Sequence, residues 1–253
     1  MLNIHTLTLG AYGTNCYIVH DSASKTCCVI DPGYTPEKVL SKVKALGLTV
    51  EAILLTHGHF DHVGGVKEIA AETGCDVYLC ADELTMPPQM TAGPLYYTKT
   101  YDEGDTLHLA GLTISVIRTP GHTPGSVCLL IDDTMFSGDT LFAGSCGRTD
   151  FPGGSDAAMR ASLRRLAGLS TAYREKGQEP PHFSGKTAIG AMGRYVSTPN
   201  ARFQPMNCAF GLIDQLEVAP GEKRIRNKQL RYEGISQRAL AEVEKIVAEM
   251  AKE

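Results

Sequence analysis

One short segment constrains this chain more than any other feature. Residues 57–62 (HGHFDH) place three imidazoles and one carboxylate directly after the apolar run 52–55. A hydrophobic core has no use for so many polar ligands at the end of a strand, whereas a transition-metal ion does. Imidazole and carboxylate together suit zinc, iron or manganese. The sequence therefore predicts a metal site at a strand end.

The spacing within this segment favours two ions. His57 and His59 should lie on the same side of an extended strand end, because side chains repeat every two residues. Asp61 and His62 follow, where the chain turns into a helix predicted over residues 63–73. Two such ligand pairs can hold ions about 3.5–4 Å apart. A hydrogen-bonded polar loop with coincidental histidines is the disfavoured alternative.

Two further segments each offer one ligand. Residues 119–126 (TPGHTPGS) present His122 on a loop of proline and glycine, between two predicted strands. Residues 136–142 (FSGDTLF) present Asp139 at another strand end. Taken alone, each would be interpreted as an ordinary loop or turn residue. Together with residues 57–62, both become predicted ligands.

Composition limits the possible classes of protein. The 253 residues, 43% of them hydrophobic and 21% charged, are typical of one large globular domain or of a domain with an appendage. The net charge of −4 disfavours a general nucleic-acid binder. Residues 1–169 carry 11 Lys and Arg against 18 Asp and Glu, whereas residues 170–253 carry 13 against 10. This asymmetry predicts two halves of different origin.

The sequence also predicts a location and a partner class. No basic stretch followed by an apolar one begins the chain, and no run of 18 apolar residues occurs, so we expect neither a signal peptide nor a membrane span. Eight cysteines without a C-x-x-C pair indicate reduced thiols in a cytoplasmic protein. We expect a small-molecule substrate, and the sequence leaves the oligomeric state open.

The pattern of apolar runs and turns predicts an α/β fold. Strands are predicted over residues 4–9, 16–20, 27–30, 50–55, 77–80, 107–109, 112–118, 126–131 and 134–137. Helices are predicted over 36–46, 63–73 and 156–166, with a long loop over 86–104. This order favours two packed sheets with helices on the outside over a doubly wound sheet.

The ligand pattern resembles that of the metallo-β-lactamase superfamily. The likeness covers residues 1–169 and rests on His57-x-His59-x-Asp61-His62, the His122 loop and Asp139. Among its branches, the chain is most similar to glyoxalase II-like hydrolases, through residues 137–142 (SGDTLF) and 147–150 (GRTD). The resemblance implies a four-layer αββα sandwich with its metals at one edge.

The resemblance also implies a ligand set and a reaction. His57, His59 and His122 would hold one ion, Asp61 and His62 a second, and Asp139 would bridge both. Two zinc ions are expected, with iron or manganese as alternatives. A divalent ion lowers the pKa of its water from 15.7 towards about 7, so the hydroxide can attack a thioester, ester or lactone. Asp61 would orient that hydroxide.

The second half of the chain departs from the family pattern. The superfamily places one more histidine ligand in a Pro-Gly-His-Gly loop, and this chain has only His182 after Asp139, in the different context PPHFSG. His182 is therefore a candidate ligand, although an exposed loop histidine is the favoured interpretation. The sandwich would then lack its last segment and carry a mostly helical extension.

The extension, residues 170–253, resembles a different family. Residues 172–253, with the string FQPMNCAFGL at 203–212, resemble the C-terminus of the folate/FAD-dependent tRNA uracil-5-methyltransferase family. The Gly-x-Gly-x-x-Gly phosphate loop of that family is absent from the sequence, so we expect no FAD binding and no methylation of tRNA by this part alone. A fusion, a deletion or a sequence join near residues 169–176 would explain the combination.

Two alternatives to a binuclear hydrolase stay open. A mononuclear iron persulfide dioxygenase would share the sandwich and the GRTDF stretch at 147–151. A hybrid chain of low activity is the third interpretation. The number of bound ions, together with oxygen uptake, would separate these possibilities.

Overall fold

Two β-sheets with helices on their outer faces form the computed structural model of the chain, which describes residues 1–142 and 145–175. The strands, numbered in chain order, are β1 (Leu2–Leu9), β2 (Thr14–Asp21), β3 (Thr26–Ile30), β4 (Thr49–Leu54), β5 (Asp76–Cys80), β6 (Lys99–Tyr101), β7 (Thr106–Leu109), β8 (Leu112–Arg118), β9 (Val127–Ile131), β10 (Thr134–Phe136), β11 (Leu141–Phe142) and β12 (Ser145–Cys146). The helices are α1 (Pro36–Ala45), α2 (Phe60–Val63), α3 (Val66–Thr73), α4 (Pro88–Thr91) and α5 (Asp156–Glu175), with a 3₁₀ helix at Ala81–Thr85.

The two sheets differ in how their strands pair. The first has the order β1-β2-β3-β4-β5-β6, with β1 to β3 antiparallel and β3 to β6 parallel. The second has the order β10-β9-β8-β7 and is antiparallel throughout. Strands β11 and β12 form a separate small hairpin. Because parallel neighbours end at the same edge of a sheet, the segments that follow β3, β4 and β5 lie side by side.

Because successive side chains of a strand point to opposite faces of its sheet, the apolar residues form three separate layers. In β3, Cys27 and Val29 pack on the side of α1 and α3, whereas Cys28 and Ile30 face the second sheet. A third cluster joins the outer face of the second sheet to α5, through residues such as Met135. The order of layers is therefore helix, sheet, sheet, helix, which confirms the predicted αββα sandwich.

Several predicted boundaries were wrong, and each error has a physical reason. The helix predicted over 63–73 is two helices, because the Gly65 backbone N–H, between α2 and α3, donates to the Pro32 carbonyl and does not continue the helical hydrogen bonds. The predicted loop over 86–104 contains α4 and the short strand β6, which pairs in parallel with β5. Tertiary pairing, rather than local pattern, determines a three-residue strand of this kind.

The C-terminal prediction extends beyond the described residues. Helix α5 continues past the predicted end at residue 166 and runs to Glu175. The division between residues 169 and 170 thus falls within α5, and the two-domain organisation stays a prediction. His182 and the extension from residue 176 onward lie outside the described residues.

Two general features of the described chain bear on the expectations above. Within residues 1–142 and 145–175, no helix has the length and hydrophobicity that crossing a bilayer requires. The seven cysteines of these ranges are free thiols, and six of them are buried. Burial raises the pKa of the Cys27 thiol to about 12, so this thiol stays protonated at neutral pH.

The sandwich interior gives a stability prediction. Leu129 of β9 is fully buried between the two sheets. Leu129→Ala should lower the free energy of unfolding by about 2–5 kcal/mol, because the lost side chain leaves a cavity between sheets that cannot close fully. Urea unfolding of the metal-free protein measures this. Leu84→Ala, at a side chain 45% exposed, is the control. Equal effects of the two substitutions would contradict the assigned core.

Candidate metal centre

The ends of four strands bring the predicted ligands together at one edge of the sandwich. Residues 55–62 follow β4 in the first sheet. The loop between β8 and β9 carries His122, and the turn after β10 carries Asp139, both in the second sheet. A hydrogen bond from Val127 N–H to the Thr56 carbonyl (2.9 Å) joins the two sheets beside the cluster. Pairing of strands that are far apart in sequence therefore builds the site.

Four imidazoles and one carboxylate converge within this edge. The ring centroid of His57 lies 4.9 Å from those of His59 and His122 and 4.0 Å from that of His62. Nδ1 of His59 is 2.8 Å from Nε2 of His122. One carboxylate oxygen of Asp139 lies 3.4 Å from Nε2 of His62, and the other lies 3.4 Å from Nε2 of His122. Asp139 thus stands between two groups of histidines.

Two sets of potential ligands meet the distance requirements of an ion. In each set, one ligand atom of every residue lies within 4.8 Å of the others. The first set is His57, His59 and His122, and the second is His57, His62 and Asp139. Asp61 lies beside the second set, with its Oδ2 3.7 Å from Nε2 of His62. The structure therefore brings together the six predicted residues that lie within the described ranges.

Hydrogen bonds outside the cluster fix the orientation of three rings. Nδ1 of His122 is 2.7 Å from the Arg148 carbonyl, which can only accept, so the proton is on Nδ1. By the same argument, His62 donates from Nδ1 to Asp31 (3.0 Å). The Thr56 hydroxyl donates to Asp31 and so accepts from Nδ1 of His57 (3.1 Å). In all three rings the Nε2 lone pair faces the cluster.

Asp31 is the main support of this arrangement. Its carboxylate accepts hydrogen bonds from the Thr56 backbone N–H (2.8 Å), the Thr56 hydroxyl (2.6 Å) and His62. It is almost fully buried and adopts a φ of 50°, in the left-handed region that few residues other than glycine occupy. Such strain persists only where the surrounding contacts compensate for it, and it is concentrated at functional sites. The Asp31 carboxylate, directly after β3, therefore supports the ligands.

A hydrogen bond from Thr14 fixes the orientation of the Asp61 carboxylate. The Thr14 hydroxyl, at the start of β2, donates to Oδ2 of Asp61 at 2.8 Å. The Asp61 side chain is 17% exposed, whereas that of His62 is fully buried. Asp61 is thus oriented at the boundary between the buried ligands and solvent, where a substrate can approach.

The electrostatic environment keeps two of the imidazoles neutral. Burial lowers the pKa of His57 well below its ordinary value, and the neighbouring His62, His59 and His122 rings lower it further. Burial and His122 lower the pKa of His59 to about 3. Both rings are therefore unprotonated at neutral pH, as ligation of a metal requires.

His62 and Asp139 lie in the opposite environment. Burial alone would lower the pKa of His62, but the carboxylates of Asp61, Asp31 and Asp139 outweigh it and raise the pKa. The pKa of Asp139 is lowered, because His62 and His122 outweigh the effect of its burial. Three carboxylates around one imidazole favour positive charge at this position, whether it is a proton or a metal ion.

Unpaired polar atoms show that the cluster fits a metal. Nε2 of His57, His59 and His62 and Oδ1 of Asp139 are buried and make no hydrogen bond. An unpaired buried polar atom costs about 1–3 kcal/mol, so four of them close together need a compensating partner. Neutral imidazoles and a carboxylate are ligands that zinc and iron accept. The donor set therefore fits a divalent transition metal.

Comparison with known proteins agrees with this geometry. The profile of the metallo-β-lactamase superfamily matches residues 9–174. The chain belongs to this superfamily. The chain is 39% identical over 163 residues to a hydroxyacylglutathione hydrolase of Aeromonas hydrophila, a match that covers 64% of this chain and 60% of that enzyme. The chain thus spans less than two thirds of the relative's length.

Two further members of the superfamily bear on the metal. The chain is 33% identical over 167 residues to BaeB of Bacillus velezensis, described as a probable polyketide biosynthesis zinc-dependent hydrolase, with 66% of this chain and 68% of BaeB covered. It is 36% identical to TTHA1623, solved in a di-iron-bound form, with a TM-score of 0.57 over 65% of this chain and 86% of the other. Superfamily members with this degree of similarity thus include a zinc-dependent hydrolase and an iron-bound protein.

Sequence reasoning missed several residues that support the ligands. Thr14 and Thr56 orient Asp61 and His57, and Glu83 in the 3₁₀ helix hydrogen-bonds to both loops that carry histidines. None lies in a recognisable ligand pattern, because Thr14 and Glu83 have partners distant in sequence and a threonine beside a ligand, such as Thr56, is not itself a signal. The only local signal at Glu83 is an acidic residue shortly after a buried strand.

The contacts of Asp31 lead to a prediction on metal affinity. Asp31→Asn should weaken zinc binding by about 10–100-fold, as loss of a partner of a ligating histidine typically does. The amide cannot accept from all three donors, so His62 loses its fixed orientation. Competition with a chromophoric chelator measures the affinity. Asp76→Asn, which removes an exposed ion pair with Lys99, is the control and should leave the affinity unchanged. Unaltered binding by the Asp31 variant would contradict the assigned role.

Proposed function

We propose that the chain is a metal-dependent hydrolase of the glyoxalase II-like kind, which cleaves a thioester, ester or lactone. The inward-facing, unpaired Nε2 atoms of His57 and His62, beside His59 and His122, carry this proposal. They form a site for a Lewis-acidic ion at the edge of the sandwich, and Asp61 lies where that site meets solvent. Membership of the superfamily and the likeness to hydroxyacylglutathione hydrolases support it.

The ligand roles are part of the proposal. His57, His59 and His122 are proposed to bind one ion, Asp61 and His62 a second, and Asp139 both. The position of Asp139, with one oxygen towards His62 and the other towards His122, supports the bridging role. The zinc-dependent and di-iron relatives support two ions of zinc or iron, with manganese as an alternative. His182 stays a candidate for the second ion.

The residues of the chain have distinct tasks in such a reaction. When bound, a divalent ion lowers the pKa of water towards about 7 and polarises a carbonyl oxygen. Asp61, fixed by Thr14, accepts a hydrogen bond from the attacking water and so orients it towards the substrate. Buried carboxylates beside His62 keep this side of the site negative, which retains a cation there.

The substrate class is proposed from chemistry and from relatives. A thioester carbonyl is more reactive than an ester carbonyl and gives a good thiolate leaving group, which suits direct attack by hydroxide. Hydroxyacylglutathione is the substrate that the name of the Aeromonas relative implies for that enzyme, and we propose a related small-molecule thioester here. A cytoplasmic location is part of this proposal.

A second candidate function is a mononuclear iron dioxygenase acting on a persulfide. One observation favours it: the first set holds three histidines, whereas the second set shares His57 with the first and adds only His62 and Asp139. One iron per chain and oxygen uptake on a persulfide would support this candidate. A hybrid chain of low activity would bind much less than one ion per chain.

Thioester cleavage tests the hydrolase directly. Protein loaded with zinc or iron should hydrolyse a lactoyl–glutathione thioester, measured as loss of thioester absorbance, and a chelator should abolish the activity. His122→Ala should lower kcat/KM by at least about a hundredfold, because it removes a proposed ligand from the first site. His108→Ala, on the exposed face of β7, is the matched control and should keep full activity.

The outcomes separate the candidates. Cleavage that needs metal and His122 supports the hydrolase. Absence of cleavage of any thioester, ester or lactone at full metal occupancy would overturn it. Oxygen consumption with a persulfide at one iron per chain would replace it with the dioxygenase.

A further inference from the structure

The 3₁₀ helix at Ala81–Thr85 lies at the same edge of the sandwich as the proposed ligands. Strands β4 and β5 are parallel neighbours, so the residues after β5 lie beside those after β4. The segment after β4 carries His57 and His59, and the segment after β5 is this 3₁₀ helix. Glu83, in its centre, is fully buried. A buried carboxylate is costly unless donors compensate its charge, so the partners of Glu83 indicate its role.

The two oxygens of Glu83 bind two different ligand loops. Oε2 accepts the backbone N–H of Gly58 at 2.6 Å, and Gly58 stands between His57 and His59. Oε1 accepts the backbone N–H of Gly125 at 2.7 Å, in the loop that carries His122. One rigid carboxylate thus joins a loop of the first sheet to a loop of the second. Hydrogen bonds to an ionised acceptor are about twice as strong as neutral ones.

Glycine at both positions permits this close approach. A Cβ at position 58 would lie 2.9 Å from Oε2 of Glu83. A Cβ at position 125 would lie 2.7 Å from the Glu83 backbone nitrogen and 2.9 Å from its Cγ. The backbone of each loop therefore lies directly against Glu83, and larger residues would push the loops away from it.

A neighbouring contact strengthens the link between the 3₁₀ helix and the His122 loop. Arg118, at the end of β8, forms an ion pair with Asp82 and also donates to the Pro124 carbonyl at 3.0 Å. Asp82 and Glu83 therefore reach the same peptide group of this loop, between Pro124 and Gly125, one through Arg118 and one directly. These contacts leave the His122 loop little freedom relative to residues 57–59.

We propose that Glu83 is a positioning residue of the metal centre, which sets the separation of His57 and His59 from His122 by binding both of their loops. The inference rests on the metal site of the proposed function. It concerns the geometry of the first ligand set and does not depend on which substrate is cleaved. Glu83 itself contacts neither ligand side chains nor substrate in this scheme.

Glu83→Gln tests this role with little change in volume. The amide offers one acceptor in place of two, so one of the two loops loses its hydrogen bond and faces a donor instead. We expect the affinity for cobalt(II), measured by competition with a chelator, to fall by about 10–100-fold. The visible absorption of the bound cobalt should also change, because it reports ligand geometry. Exchange of the Gly58 and Gly125 amide protons should accelerate in the metal-free variant.

Glu51→Gln is the matched control. Glu51 lies in β4, at the end remote from the site, and its carboxylate also accepts from two donors, the Thr26 hydroxyl (2.5 Å) and the Ala110 backbone N–H (2.9 Å). Both donors bind the same oxygen, Oε2, so an amide oxygen in its place can keep both hydrogen bonds. This variant removes the charge alone and should keep the wild-type affinity and spectrum of cobalt. If the glutamine variant does not fold, cobalt affinity and absorption are measured on Glu83→Asp, whose shorter carboxylate reaches only one loop.

Two results would overturn the proposal. Cobalt affinity and spectrum equal to wild type in the Glu83 variants would show that other contacts set the ligand separation. Equal losses in the Glu83 and Glu51 variants would show a general effect of destabilisation. Metal binding is measured without substrate, so a wild-type chain that binds cobalt tightly but cleaves no thioester would refute the proposed function and leave the role of Glu83 standing.

Discussion

The orientation of buried imidazole rings is the constraint on which the site depends. His57, His62 and His122 each donate a proton from Nδ1 to a fixed acceptor, respectively the Thr56 hydroxyl, Asp31 and the Arg148 carbonyl. This leaves three Nε2 lone pairs facing a common region. Since an imidazole that rotated by half a turn would bury its proton against the other rings, these outer hydrogen bonds determine whether the cluster can bind an ion at all.

Formation of this cluster lowers the stability of the fold locally. Four buried polar atoms of the site make no hydrogen bond, and each costs about 1–3 kcal/mol. The large apolar layers on both sides of the first sheet and beneath α5 supply the stability that offsets it. Because only the folded chain brings these atoms together, binding of an ion should be coupled to folding. The metal centre and the stability of the sandwich are therefore linked.

Two buried carboxylates support the site in different ways. Asp31 acts on side chains, since it fixes the Thr56 hydroxyl and the His62 ring. Glu83 acts on the backbone, since it binds the amide groups of two loops that belong to different sheets. One sets the direction in which a lone pair points, and the other sets the distance between loops. A metal site needs both, because ligand geometry depends on direction and distance together.

The sequence alone determined the chemistry of the site. Residues 57–62, His122 and Asp139 were predicted as ligands because their residue types and strand-end positions fit a metal ion, and the structure brings them together. Strand and helix patterns gave the two-sheet fold, but the split between α2 and α3 and the strand β6 escaped them, because short elements depend on tertiary pairing. Only the tertiary structure revealed Thr56 and Glu83 as supports of the ligands, and only it showed which donors Asp31 binds. Glu83 binds groups that are 25 and 42 residues away along the chain, and Thr56 binds Asp31, 25 residues away, as well as its neighbour His57. No local pattern encodes contacts that exist only once the two sheets are packed.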